Sequence, residues 1–141
     1  MNVTPYLIFN GDCEDALNFY AKGLGGEIKE LNRFEGSPAE GMAEDKQLVM
    51  HAIFVAKGVM LMASDSGKNA PTETDGGKTH LSLNFDTNEE IEQAFEGLSE
   101  DARVTMPLQD TFWGARFGMV TDKFGINWMF NFDKQNTVSS L

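Results

Sequence analysis

Cysteine occurs once in these 141 residues, at Cys13, so no internal disulfide can brace the chain. A lone thiol fits a reducing compartment, and the cytoplasm is the expected location. Basic side chains are scarce: 11 lysines and arginines stand against 22 acidic residues, a net charge of −11. Such a surface repels phosphate backbones and anionic headgroups, which argues against nucleic acid and membrane surfaces as partners. No apolar run is long enough to span a bilayer. The opening Met-Asn-Val-Thr-Pro has no basic stretch followed by an apolar one, so no signal peptide is expected.

Several nucleotide and nucleophile signatures are also missing. Gly77-Lys78-Thr79 looks like the end of a phosphate-binding loop, but Thr72 stands where the earlier glycine is required, and a strand follows rather than a helix. Gly23-Leu24-Gly25-Gly26 comes after a helical pattern, which makes it a stop signal and not a dinucleotide fingerprint. No serine lies in a nucleophile-elbow context.

What is present is a dense aromatic stretch. Phe112–Trp128 holds both tryptophans, and Asp122-Lys123-Phe124-Gly125 is a turn signal between two runs of β-formers. A hairpin with aromatic walls is predicted. Ahead of it the chain reads as follows. Thr4–Asn10 is a strand, broken by Gly11-Asp12. Asp12 is a candidate N-cap with Asp15 as its capping-box partner, and Ala16, Phe19, Tyr20 and Leu24 share a helical face. Glu27–Phe34 is a further strand, Glu35–Lys46 a mobile loop, and Leu48–Ala56 and Val59–Ser64 two strands joined at Lys57-Gly58.

After a polar linker the pattern begins again. Thr79–Phe85 alternates, Thr87 and Glu90 form a capping box, and Ile91, Ala94, Phe95 and Leu98 make an apolar stripe. A strand at Arg103–Leu108 leads into the hairpin. The economical reading is an internal duplication of a βαβββ unit, an α+β fold in a single domain. Module 1 spans about residues 3–65, the linker 66–78, module 2 about 79–132 and a polar tail 133–141.

The tandem βαβββ order and several short motifs resemble the vicinal oxygen chelate superfamily, which contains glyoxalase I, bleomycin-resistance proteins and extradiol dioxygenases. Within it the chain looks most like the PhnB-like branch, some of whose members carry a demethylubiquinone methyltransferase label. The matching residues are Phe9-Asn10-Gly11-Asp12-Cys13-Glu14-Asp15-Ala16, Phe19-Tyr20, Leu24-Gly25-Gly26, Met50-His51-Ala52, Trp113-Gly114-Ala115-Arg116-Phe117-Gly118 and Asp122-Lys123-Phe124-Gly125-Ile126-Asn127-Trp128. The resemblance implies an open half-barrel with a cleft and, by analogy, a homodimer. It also implies metal ligands on the first and last strands of each module. Carried over, those positions are Pro5, Met62, His80 and Met129, of which only His80 suits a divalent ion. No metal site of the usual type and no cofactor is therefore expected, and a divalent ion at His80, with His51 as a further candidate ligand, is the alternative. No Gly-rich loop joins a strand to a helix, so methyl transfer from a nucleotide-like donor is not expected.

The candidate pocket residues are Trp113, Phe112, Arg116, His51, His80, Met62 and Met129. Trp113 precedes a glycine and is a candidate pocket wall. Arg116 is a candidate clamp for an anionic group, or else one partner of a hairpin salt bridge. Each histidine is either a hydrogen-bonded strand residue or a general base. Cys13, at a helix start, is either an activated thiol or a small buried hydrophobe. The methionines in predicted strands suit an adaptable apolar surface. The function expected is binding of a small apolar or anionic molecule. A metal-dependent glyoxalase- or dioxygenase-like enzyme and a drug-sequestering protein are the alternatives.

Overall fold

The computed structural model describes residues 1–66 and 77–134. The chain divides into two compact units, Met1–Thr72 and Glu73–Leu141. The first contains β1 (Tyr6–Phe9), α1 (Cys13–Leu24), β2 (Glu27–Arg33), β3 (Val49–Ala56) and β4 (Val59–Asp65). The second contains β5 (Leu81–Asn84), α2 (Asn88–Leu98), β6 (Arg103–Asp110), β7 (Ala115–Thr121) and β8 (Asn127–Asp133). The α+β architecture of tandem βαβββ modules is the one observed. Sheet orders are β1-β4-β3-β2 and β5-β8-β7-β6. In each sheet the first strand runs parallel to the last and the other neighbours are antiparallel. Most of the expected linker and most of the expected tail lie outside the described residues.

Each helix covers one face of its own sheet. In α1 the buried residues are Cys13, Ala16, Leu17 and Tyr20, spaced at three and four residues. This differs from the expected stripe: Leu17 is fully buried, while Phe19 and Leu24 are only half-buried. Tyr20 meets Phe54 of β3 edge-on, with ring centroids 6.4 Å apart. In α2 the stripe is as expected, with Ile91, Ala94 and Leu98 buried and Phe95 set edge-on to Phe130 at 5.1 Å. That approach requires Gly118 on β7, where an added Cβ would come within 2.7 Å of the Phe95 ring.

The two helices begin differently. Thr87 caps α2 as predicted: the Glu90 amide donates to its hydroxyl oxygen at 3.2 Å, and the hydroxyl donates to the Glu90 carboxylate at 3.0 Å. Asp12 occupies the N-cap position of α1, but its side chain makes no capping bond. The acceptor there comes from the last residue of β4. Asp65, 4% exposed, takes the amides of Gly11 and Cys13 on Oδ1 and the amide of Val49 on Oδ2, all at 2.9 Å. One buried carboxylate therefore joins the helix start, the loop before it and the head of β3 to the sheet. A negative charge at a helix N-terminus is also favoured by the helix dipole.

Hydrogen bonds to a charged acceptor contribute about 1.5–3 kcal/mol each, and a buried donor left unpaired costs about as much again. Asp65→Ala is therefore expected to lower unfolding stability by at least about 3 kcal/mol, read from urea melts. Asp65→Asn is not expected to restore it. An amide keeps the Oδ1 acceptor but turns an NH2 group toward the Val49 N–H. A stability within about 0.5 kcal/mol of the parent for Asp65→Ala would show that the bridge contributes little.

Candidate functional site

Strand alternation sorts every strand residue onto a helix-covered face or an open one. On β1, Leu7 and Phe9 are buried beneath α1, while Tyr6 and Ile8 point to the open side, 44% and 54% exposed. Register carries this across the sheet. Tyr6 is opposite Met62, Met62 is opposite Ile53, and Ile53 is opposite Glu30. The second sheet has an analogous open row: Ser82 opposite Met129, Met129 opposite Met119, and Met119 opposite Met106. Three methionines thus stand side by side on β8, β7 and β6. The next row along holds Asn84, Asn131, Phe117 and Gln109.

In these registers the carried-over positions do not face one another. The residue facing Met62 on the first strand is Tyr6, not Pro5, whose carbonyl accepts the Met62 amide at 3.0 Å. The residue facing Met129 is Ser82, not His80. His80 lies before β5, in an exposed position outside the strand where it was expected. The side chains at the facing positions are a phenol and a thioether on the first sheet, and a hydroxyl and a thioether on the second. Neither pair suits a hard or borderline divalent ion, which takes imidazole and carboxylate ligands. Among the described residues, no three His, Cys, Asp or Glu side chains are grouped to hold a metal.

The other candidates separate. Phe112 and Trp113 form the tip of the β6–β7 loop, 97% and 57% exposed, with their rings edge-on at 5.0 Å. The loop is tied at its base: the Thr111 amide donates to the Ala115 carbonyl at 2.8 Å, the Ala115 amide donates to the Thr111 hydroxyl at 3.0 Å, and Gly114 has φ +90°. Arg116 is not a partner of this tip. It points to the helix-covered face, where it pairs with Glu92 of α2 at 2.9 Å and Asp110 at 3.7 Å. Asp110 is held below the usual carboxylate range by its hydrogen bond from Lys134 and by the nearby Lys134 and Arg116 charges. Of the two roles considered for Arg116, the geometry supplies the salt bridge. His51 of β3 lies on the open face of the first sheet, where its Nδ1 is 3.0 Å from the Tyr6 phenol oxygen. The structure thus brings His51 and Met62 together with Tyr6, and Met129 together with Met119 and Met106. Sequence reasoning passed over Tyr6, Ser82 and Met106. The alternation of β1 was the available signal for Tyr6.

Cys13 is fully buried at the start of α1. Burial pushes its thiol up to about 12, and the Asp65, Asp12 and Glu14 charges act in the same direction. The activating effect of a helix N-terminus is overridden. Since the folded value is raised, the neutral thiol favours the native state below the unfolded value near 9, and that contribution is lost as pH rises from there toward about 12. Cys13 is expected to resist a disulfide reagent such as dithionitrobenzoate in native protein at pH 8 and to react at once in urea. Rapid stoichiometric reaction without denaturant would contradict this placement.

Comparison with known proteins agrees with the tandem βαβββ fold. A model of the Glyoxalase/Bleomycin resistance protein/Dioxygenase superfamily matches residues 2–130. Protein YjdN of Escherichia coli strain K12 is 34% identical over 145 residues, covering 96% of this chain and 97% of that protein. Protein PA1353 from Pseudomonas aeruginosa superposes with a TM-score of 0.83 at 43% identity, over 94% of this chain and 98% of that one. The PhnB protein from Bacillus cereus, described as a putative 3-demethylubiquinone-9 3-methyltransferase, superposes with a TM-score of 0.79 at 30% identity, over 94% and 99%.

Proposed function

This chain belongs to the Glyoxalase/Bleomycin resistance protein/Dioxygenase superfamily, and on that footing we propose that it is a PhnB-like small-molecule-binding protein. Its ligand is neutral and apolar or aromatic, and it rests on an open sheet face without a divalent metal. The observation that carries this reading is the row Met129, Met119 and Met106 on neighbouring strands. Methionine side chains are flexible and polarizable, and a surface of them adapts to flat apolar molecules. Met62 on the first sheet has the same character.

Two observations favour a neutral over an anionic ligand. Arg116 is committed to Glu92 and Asp110. On the first sheet, Glu27 and Glu30 share the open face with Ile53 and Val55, so an anion there meets like charge. Neither strand-to-helix loop, at Asn10-Gly11-Asp12 or Phe85-Asp86-Thr87, has the glycine cluster that a nucleotide-like methyl donor needs, so methyl transfer is left out of the proposal. Homodimerisation is part of it, by analogy with oligomers that pair through exposed sheet edges.

N-phenyl-1-naphthylamine, a neutral dye that brightens in apolar surroundings, tests the reading. The protein is expected to bind it saturably. Met119→Lys places an ammonium in the row and is expected to weaken binding at least about tenfold. Absence of a saturable signal, or an unchanged affinity in Met119→Lys, overturns the proposal. Addition of Mn²⁺, Zn²⁺ or Ni²⁺ is expected to leave the thermal midpoint of chelator-free protein unchanged, and a rise of several degrees would restore the metal-dependent alternative.

A further inference from the structure

Tyr6 and His51 are 45 residues apart in sequence, yet they meet on the open face of the first sheet. β4 lies between their strands, so the phenol must reach across it to make the bond. The ring centroids are 5.8 Å apart and tilted by 32°. Both side chains remain open to solvent, and among the described residues neither has a further hydrogen-bond partner. An exposed bond of this kind adds little to stability. Its position matters more: Met62 and Ile53 lie on one side of the pair, while Ile8, Ser64 and Asn32 lie on the other, so the pair forms the polar border of an apolar strip.

The chemistry of the pair is unusual in being complete either way round. If the phenol donates to Nδ1, the imidazole proton sits on Nε2, leaving an N–H donor at Nε2 and acceptor lone pairs on the phenol oxygen. If Nδ1 donates to the phenol, the free donor is the tyrosine O–H and the free acceptor is Nε2. One donor and one acceptor are offered in both tautomers. A hydroxyl group needs both, and a carbonyl needs the donor.

We infer that Tyr6 and His51 form a subsite that recognises a hydroxyl or carbonyl oxygen on a neutral, ring-bearing ligand whose apolar part lies over Met62 and Ile53. The inference rests on the proposed binding of apolar ligands at an open sheet face and adds the ligand's polar group. Glu27 and Glu30 on the adjacent strand keep the preference on the neutral form of that group. A site built to hydrogen-bond an oxygen discriminates strongly against an analogue that lacks it, because the site's own polar groups are then left unpaired. The Tyr6–His51 bond softens this, since the two side chains can satisfy each other.

The test compares two probes of nearly the same shape, 2-naphthol and 2-methylnaphthalene, by calorimetric or fluorescence titration at pH 7. The parent protein is expected to bind 2-naphthol at least about tenfold more tightly. Tyr6→Phe and His51→Leu are each expected to bring the two probes within about threefold of one another, through a loss of 2-naphthol affinity. Equal affinities in the parent protein overturn the inference while leaving the apolar-face reading intact. So does a preference that survives both substitutions. If neither probe binds the parent protein, both the reading and the inference fail. The comparison of probes on the parent chain needs no variant to fold.

Discussion

A carboxylate withdrawn from water must find donors, and Asp65 finds three backbone amides at 2.9 Å. The consequence reaches well beyond local capping. The amides belong to the loop after β1, the first turn of α1 and the first residue of β3, so one side chain at the end of β4 sets where the helix enters and how β3 begins. With α1 seated there, Leu7, Phe9, Ala52, Phe54, Leu61 and Ala63 become the buried face. Everything of opposite parity is left on the other side. The open face of the first unit is thus a product of which face the helix takes.

The second unit obeys the same constraint with different chemistry. Thr87 caps α2 locally, and the buried carboxylate is moved to the hairpin. Asp122, 4% exposed, accepts the Phe124 and Ile126 amides on Oδ1 and the Trp128 indole N–H on Oδ2 at 2.8 Å. Trp128 is thereby anchored at the centre of the core, and Phe130 and Phe132 follow it on the same face. The alternate positions, Met129 and Asn131, are turned to the open side. Asn127 closes the start of β8, donating to the Gly77 and Thr79 carbonyls while Thr121 donates to its amide oxygen at 2.6 Å. The two modules share a topology whose ends are secured by different polar groups, as expected of a duplication that has diverged.

Parity also decides what the candidate residues can do. Arg116 and Trp113 are three positions apart, and proximity in sequence suggested one site. Arg116 lies opposite Phe132, on the helix face, where Glu92 of α2 waits for it. The aromatic tip belongs to a tied loop outside the strands. His51 and Tyr6 are distant in sequence but share a face, so they meet. A slip of one position flips a strand residue to the other side of the sheet. Pro5 lies just before β1, and Tyr6, on the open face, is the residue opposite Met62.

The duplication, the helix start at Thr87, the turn glycines Gly58 and Gly125 and the apolar stripe of α2 were all legible in the sequence, because each depends on neighbours within a few residues. Both glycines have positive φ, 73° and 90°, as their tight turns require. The identity of the superfamily was legible for the same reason, since its motifs are short and local. The cap on α1 was not: Asp12 has the right residue type in the right place, yet the acceptor that is used lies 52 residues away from Cys13. The methionine row, the fate of Arg116 and the Tyr6–His51 pair were hidden likewise. Local periodicity determines that a segment is a strand or a helix and which of its residues go together. Only tertiary structure decides which strands are neighbours, in what register, and which face a helix covers, because these depend on the packing of segments that the chain itself keeps far apart.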